Sequence, residues 1–120
     1  MAASLACAAA AACSEAPAPD ATYRQVERGD PERGLRLVTQ YQCSTCHAIP
    51  GAASNGLKIG PPLGAFGARS YIAGRVPNGP EALQRWLQGP QALVPETTMP
   101  DLGVSPEDAR DIAAYLLSMP

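Results

Sequence analysis

The feature that most constrains this chain is the pentapeptide Cys43-Ser44-Thr45-Cys46-His47. Two thiols three residues apart on one turn can each add to a vinyl group on the same edge of a porphyrin, and the adjacent histidine can then ligate the iron. The pattern is typical of covalent haem attachment. The sequence therefore predicts one haem c, bound through thioethers to Cys43 and Cys46, with His47 as an axial ligand.

Two other uses of a Cys-x-x-Cys pair agree less well with the sequence. A zinc site needs four ligands, and no second pair of Cys or His completes it, because Cys7 and Cys13 lie in an Ala-rich leader. A thioredoxin-type redox pair calls for a βαβ setting, of which the chain shows no sign. Haem attachment is therefore the preferred interpretation.

The composition agrees with a small domain that is built around a cofactor. The 120 residues suggest one domain, and 11 glycines with 13 prolines predict long loops. A domain of this size buries little surface of its own and often depends on a metal, a disulfide or a cofactor. The net charge of −2 and the pI near 5.2 give no basic stripe, so nucleic-acid binding is not expected.

The second axial ligand has several candidates. His47 is the only histidine, so the ligand is Met, Lys, the N-terminus, water or nothing. Met99 is the strongest candidate, because Pro100 restricts the backbone beside it and a thioether is a soft ligand that favours Fe(II). The alternatives are that Met99 is a core residue, as most methionines are, or that Met119 at the chain end takes its place.

Helix-start signals divide the body of the chain into three predicted helices. Each begins with a capping or turn residue followed by Pro and Glu: Asp30-Pro31-Glu32, Asn78-Gly79-Pro80-Glu81 and Ser105-Pro106-Glu107. The first is expected to run to about Gln42, and Gly89-Pro90 is expected to end the second. Tyr71-Ile72-Ala73 is expected to form a short turn. No run alternates with period two, so we expect no sheet and an all-α chain.

The N-terminal residues look like a targeting segment. Residues 1–13 are small and weakly apolar, as in an export signal remnant or a lipoprotein leader. Cys13 is the candidate lipid anchor, and residues 14–27 are expected to be a flexible Pro/Ala-rich tether. The alternative is a disordered Ala-rich tail. No basic residue precedes the apolar run, which suggests that the true start lies upstream of Met1 or that the leader is truncated.

From about Arg28 to Leu117, the chain resembles the class I cytochrome c family. The resemblance implies a domain over residues 28–120, with three to five helices and long loops wrapped around one covalently bound haem. It also implies that Gly34 lets the N- and C-terminal helices cross closely, where Tyr115 and its neighbours meet it.

The same family resemblance assigns roles around the iron. The segment Ile59-Gly60-Pro61-Pro62-Leu63 is similar to the loop whose proline carbonyl accepts a hydrogen bond from the proximal histidine, and Pro61 would have that role. Trp86 looks like the aromatic residue that packs beside the haem and the methionine ligand. An ordinary place in a helix core is the alternative for Trp86, and both can hold together.

Three longer segments, residues 46–51, 69–87 and 97–104, resemble the cytochrome c domain attached to subunit II of some bacterial haem–copper oxidases. These 120 residues include no copper-binding oxidase domain, so the resemblance implies a stand-alone relative. It also implies four side chains that hydrogen-bond the haem propionates, namely Arg69, Tyr71, Asn78 and Thr97. For Arg69 and Arg75 a solvated surface charge is the alternative.

These observations predict a one-electron carrier rather than an enzyme. With His47 and Met99 both bound, no substrate needs to touch the iron, and a peroxidase would need a distal acid–base residue that is missing once His47 is used. The alternative function is a haem-based redox or gas sensor from which Met99 dissociates.

The expected setting is a bacterial respiratory chain. The protein is expected to be a monomer in the periplasm or on the periplasmic face of the cytoplasmic membrane, between a quinol-oxidising complex and cytochrome c oxidase. Lys58 is the only lysine beside eight arginines, so a lysine ring that steers the partner is not expected. Docking would instead depend on Arg, acidic or apolar contacts.

Overall fold

Helices joined by long loops form most of the molecule. The computed structural model describes residues 24–54, 57 and 59–120. The described residues form four α-helices: α1 (Pro31–Gln40), α2 (Pro80–Gln88), α3 (Pro90–Leu93) and α4 (Pro106–Ser118). Two short 3-10 helices are also present, over Cys43–Thr45 and Phe66–Ala68. The helix-rich fold that the sequence predicts is thus confirmed, while the predicted leader and its candidate anchor Cys13 lie outside the described residues.

The first and last helices begin where their capping residues predict. The Asp30 carboxylate accepts a hydrogen bond from the Arg33 N–H at 2.9 Å, and the Ser105 hydroxyl accepts one from the Asp108 N–H at 3.1 Å. Each helix has proline at its first position, where a missing N–H costs nothing. Helix α1 ends slightly earlier than expected, because Gln42 adopts a left-handed conformation with φ of 56° and turns the chain into Cys43–Thr45.

Helices α1 and α4 cross at Gly34. A Cβ on residue 34 would lie 2.0 Å from the backbone oxygen of Asp111 and 2.8 Å from Cβ of Tyr115. Any side chain at residue 34 would therefore push the two helices apart. The predicted close crossing near Tyr115 agrees with this geometry.

A polar cluster of Arg33, Tyr41, Asp108 and Asp111 joins the same two helices. Arg33 donates to both carboxylates at 2.5 Å, and the Tyr41 hydroxyl donates to Asp108 at 2.6 Å. The hydrogen bond from Tyr41, with help from Arg33, lowers the pKa of Asp108. Burial raises the pKa of Asp111, but hydrogen bonds from Arg33, the Asp30 N–H and Arg110 outweigh it and leave that pKa below its ordinary value.

The expectation of no sheet was wrong at one place. Tyr71–Ile72 and Val76–Pro77 form a two-stranded antiparallel ladder, with Ile72 opposite Val76. Residues 73–75 connect the strands. Ala73 and Gly74 have φ of 49° and 68°, and the Arg75 N–H donates to the Ile72 carbonyl at 3.0 Å. Positive φ angles at both central residues of a turn that is closed by such a bond are typical of the tight turns in hairpins. The predicted turn at residues 71–73 is therefore the first strand and the start of a hairpin loop.

The hydrophobic core lies between α1, α2 and α4, and it extends before residue 28. Val26, inside the segment predicted as a tether, is buried, and the Arg24 guanidinium donates to the Arg69 carbonyl at 3.1 Å. Among the described residues, no helix has the length and apolar character needed to cross a membrane. The core leaves one side of these helices free to line a cavity.

Candidate functional site

A cavity of about 400 Å³ opens between α1, α2, α4 and the loop that follows α3. Its inner wall is aliphatic and aromatic, with side chains from all three long helices: Val38, Leu83, Trp86, Leu87, Ile112 and Leu116. A large apolar space with a few polar groups at its edge is typical of a cofactor site. The residues predicted to bind the haem can be located against this wall.

Cys43, Cys46 and His47 all line the cavity. They are brought together by the tight turn after α1, where the N–H groups of Cys46 and His47 both donate to the Cys43 carbonyl, at 3.2 and 3.0 Å. Cys43 and Cys46 are not joined in a disulfide. Burial raises the pKa of the Cys43 thiol, and the neighbouring Cys46 raises it further. The turn therefore presents two thiols and one imidazole to the same apolar space.

The His47 ring is held by the loop that begins at Ile59. Its Nδ1 lies 2.7 Å from the carbonyl oxygen of Pro61, and because a carbonyl only accepts, Nδ1 must carry the proton. The Nε2 lone pair is then free for a metal. The Gly60 N–H donates to the Cys46 carbonyl at 2.8 Å, which fixes this loop against the motif. The contact predicted for Pro61 is thus present in the structure.

Met99 lines the same cavity as His47. Its backbone N–H donates to Thr97 Oγ1 at 3.3 Å, and its carbonyl accepts a hydrogen bond from Gln91 at 2.7 Å. The rival methionine, Met119, does not line this cavity, and its carbonyl accepts a hydrogen bond from the Gly67 N–H at 2.8 Å. The structure therefore places Met99, and not Met119, in the space that His47 faces.

Three of the four side chains that are predicted to hydrogen-bond the haem propionates line the cavity, and one does not. Arg69, Tyr71 and Thr97 line the cavity, whereas Asn78 does not. Arg69 donates to the carbonyls of Pro62 and Gly64, and its guanidinium stacks 5.4 Å from the centre of the Phe66 ring. These contacts hold the Arg69 head group near the cavity.

Asn78 is buried beside the cavity rather than in its wall. Its amide nitrogen donates to the carbonyls of Phe66 and Arg69, at 3.2 and 3.0 Å. Its Oδ1 is buried with no hydrogen-bond partner among the described residues. An ionised carboxylate cannot donate to that oxygen, so a direct bond to a propionate through Oδ1 requires the protonated acid.

Two contacts at this site were missed in the sequence. The sequence identifies Gly60 only as part of a loop, yet a Cβ there would lie 2.3 to 2.9 Å from three atoms of the His47 ring. Its place directly before Pro61 was the available signal. The contact between Gln91 and Met99 gives no signal in the sequence, because nothing near Gln91 points to a partner at Met99.

The donor set agrees with a haem rather than with a bare metal ion. In the described part of the chain, no three residues among His, Cys, Asp and Glu lie close enough together to hold a metal ion. The His47 imidazole and the Met99 thioether would be the two protein ligands of an iron that a porphyrin also holds. Cys43 and Cys46 at the edge of the same cavity are suited to the thioether bonds.

Comparisons with known proteins agree with this geometry. The family model described as Cytochrome c matches residues 31–120, and the chain belongs to the cytochrome c family. The helical structure is that of a class I cytochrome c domain. Members of this family bind haem c covalently and transfer electrons, so the coarse function of this chain is that of a haem electron carrier.

The chain is also similar to cytochrome c oxidase subunit 2 of Alkalihalophilus pseudofirmus. The two are 35% identical over 88 residues, which include 72% of this chain. That stretch is about a quarter of the oxidase subunit, 25% of its length. The resemblance to the cytochrome c domain of an oxidase subunit II is therefore confirmed, while the rest of the oxidase subunit has no counterpart in this match.

Proposed function

We propose that this protein transfers single electrons through a haem whose iron is ligated by His47 and Met99 and whose vinyl groups are bonded to Cys43 and Cys46. The observation that supports the proposal is the shared cavity. All four side chains line one apolar space, and His47 is already held with its Nδ1 proton on Pro61. When bound, the haem supplies an iron that alternates between Fe(III) and Fe(II).

The protein's own residues support that exchange in three ways. The Pro61 carbonyl keeps the His47 ring in one tautomer and one orientation. The Met99 thioether favours the reduced iron and so raises the reduction potential. The apolar wall of buried side chains such as Leu83 and Ile112 excludes water from the inner part of the cavity. Because both ligands come from the chain, electron transfer needs no bond to a substrate.

The proposed acceptor is a terminal cytochrome c oxidase in a bacterial respiratory chain, and the proposed donor is a quinol-oxidising complex. The similarity to an oxidase subunit 2 supports this assignment. We place the protein as a monomer in the periplasm or on the periplasmic face of the cytoplasmic membrane, where haem is attached covalently in this family. Cys13 is the proposed lipid anchor to that membrane.

Electrons are proposed to cross at the mouth of the cavity, which has an apolar rim. Ile59, Tyr71 and Leu102 line the cavity and are also exposed, by 70%, 56% and 40%. Side chains that line a cavity and also face solvent lie at its opening. An apolar rim favours a small, short-lived contact with a partner whose facing surface is also apolar.

The iron ligands are tested on the purified oxidised holoprotein. A bond between Met sulfur and Fe(III) gives a weak far-red absorption band. We expect the band in the parent protein, its loss in Met99→Ala, and its persistence in Met119→Leu, the matched control outside the cavity. A band that survives in Met99→Ala contradicts the ligand assignment.

The respiratory role is tested separately. The reduced protein is mixed with isolated membranes, and its oxidation is followed by absorbance with and without an inhibitor of the terminal oxidase. Rapid oxidation that the inhibitor stops is the expected result. Oxidation that is equally slow with and without the inhibitor contradicts the proposed acceptor. The Cys13 anchor is tested by mass spectrometry of the membrane-bound protein, and an unlipidated Cys13 contradicts it.

A further inference from the structure

We propose that Gln91 is a positioning residue that keeps the Met99 sulfur on the iron by holding the Met99 carbonyl. The inference depends on the proposed function, because it takes Met99 as the axial ligand. Gln91 does not line the cavity, so any effect on the iron must pass through the backbone of Met99. The hydrogen bond from Gln91 Nε2 to the Met99 carbonyl is 2.7 Å long.

Both polar groups of the Met99 peptide backbone are bound by side chains. The carbonyl accepts from Gln91, and the N–H donates to Thr97 Oγ1. Pro100 follows directly and restricts the backbone of Met99 to extended conformations. A methionine side chain has three rotatable bonds and adapts easily, so the position of its sulfur depends on how firmly its backbone is held.

Helix α3 provides the fixed end of this link. Pro90 is buried, and the Val94 N–H donates to its carbonyl at 3.0 Å. Val94 is also buried, and its carbonyl accepts from the Thr97 N–H at 3.0 Å. Gln91 thus extends from a short helix anchored in the core back to the far end of the loop that follows it.

The two glutamines on the preceding helix form a different kind of contact. Gln84 and Gln88 donate to carbonyls four residues earlier in α2, at 2.9 and 3.0 Å. These bonds stay within one helix, whereas the bond from Gln91 reaches out of α3 to the ligand loop. The second side-chain link to this loop, between Arg75 and Glu96, joins two exposed residues, and pairs of this kind contribute little. Gln91 is exposed as well, but it holds the Met99 backbone itself, whereas Glu96 lies three residues before Met99.

Loss of one such bond has a measurable consequence. Imidazole added to the oxidised protein binds iron only where Met99 has left it, so its apparent affinity reports how easily Met99 dissociates. A neutral hydrogen bond of typical strength corresponds to an affinity change of about threefold to tenfold. We expect that increase in imidazole affinity when the Gln91 amide is removed.

The experiment compares Gln91→Leu, Gln91→Glu and the control Gln88→Leu as oxidised holoproteins. The first two remove the donor, one without charge and one with charge, while the control removes a glutamine amide that does not contact Met99. Imidazole binding is titrated by absorbance, and the free energy of unfolding is measured by urea denaturation. Tighter imidazole binding in both Gln91 variants, with the control unchanged, is the expected result.

Three outcomes contradict the inference. Imidazole affinity equal to that of the parent in both Gln91 variants means that the bond does not restrain Met99. An increase in Gln91→Glu alone means that charge is the cause, and an equal increase in Gln88→Leu means that general loosening is the cause. Failure of the proposed function gives a different result, because the parent protein itself would then show no far-red band.

Discussion

Gly60 lies directly against the ring of His47, so that a Cβ on residue 60 would be 2.3 Å from Cε1 of the imidazole. The same loop presents the Pro61 carbonyl to Nδ1. A movement of the ring away from Gly60 would therefore break that hydrogen bond. The absence of a side chain at residue 60 is therefore part of how the His47 ring is oriented.

We predict that Gly60→Ala displaces the His47 ring and lowers the free energy of unfolding of the oxidised holoprotein by about 1–3 kcal/mol, as expected when an extra methyl group is forced into a packed site. Urea denaturation and the haem absorption spectrum measure the two effects. Gly64→Ala is the control, because its Cβ would meet only Pro50 Cγ, at 3.7 Å. Equal stability of the two variants would contradict the proposed constraint on the ring.

The haem motif and the helix starts were predictable because each depends on residues close in sequence. Asp30 and Ser105 cap their helices through bonds that span three residues, and Cys43 to His47 form one turn. A family resemblance also placed Gly34 at the helix crossing. The caps and the haem turn agree with the structure because local chemistry determines them, whereas the crossing joins residues far apart in sequence and depended on the resemblance.

The contacts that could not be predicted join residues that local sequence does not relate. The hairpin at residues 71–77 has strands of two residues, which are too short to show alternation, and its loop begins with Ala73 instead of a residue that favours positive φ. The partner of Gln91 depends on where the chain returns after α3. The orientation of the Asn78 amide depends on two carbonyls nine and twelve residues away.

The helix crossing gives a second prediction. Gly34→Ala would place a methyl group 2.0 Å from the Asp111 backbone oxygen, so α1 and α4 must separate. We expect a loss of about 3 kcal/mol in the free energy of unfolding, larger than the gain of about 0.5–1 kcal/mol that alanine usually brings to a helix. Urea denaturation measures it. Gly89→Ala, whose Cβ would meet only Ala92 Cβ at 3.9 Å, should change stability far less.

The polar cluster between α1 and α4 predicts how stability varies with pH. The pKa values of Asp108 and Asp111 are lowered in the folded state, so their contribution is present above the ordinary value of 3.8 and is lost as pH falls below it. The hydrogen bond to Asp108 raises the pKa of Tyr41 above 10.0, so that contribution is present below 10.0 and is lost as pH rises through the higher folded-state value. The free energy of unfolding should therefore fall at both the acid and the alkaline end of the pH range.

Asp111→Asn tests the acid side of this profile. The substitution leaves Arg33 with one carboxylate fewer and removes a group that titrates on acidification, so we expect a melting temperature several degrees lower at neutral pH and a shallower loss of stability toward acid. Thermal unfolding at a series of pH values, followed by far-UV circular dichroism, measures both. An acid dependence as steep as that of the parent would show that Asp111 does not contribute to it.

The ion pair between Arg75 and Glu96 is expected to have only a small effect on the position of Met99. The pair links the hairpin to the Met99 loop, but its side chains are 63% and 57% exposed. Exposed pairs contribute about 0–1 kcal/mol, because water screens them and both side chains lose freedom. Glu96→Gln should therefore leave the far-red band and the imidazole affinity as they are in the parent protein. A change as large as that expected for Gln91→Leu would show that this pair, too, restrains the loop.

The apolar rim of the cavity predicts how the protein contacts its proposed acceptor. Because Ile59, Tyr71 and Leu102 surround the opening, burial of apolar surface rather than charge should dominate the docking contact. The second-order rate of oxidation by oxidase-containing membranes should fall by about threefold or more in Ile59→Ser and in Leu102→Ser, since each loses part of the buried apolar area. Arg85 is exposed on α2 away from the cavity, so in Arg85→Gln the rate should stay at the parent value.

Stopped-flow measurements at low and at physiological ionic strength distinguish apolar docking from charge-guided docking, because attraction between opposite charges weakens steeply as salt is added. A rate that falls by more than about tenfold over that range, together with full activity of both serine variants, would show that charge guides the contact and that the rim does not.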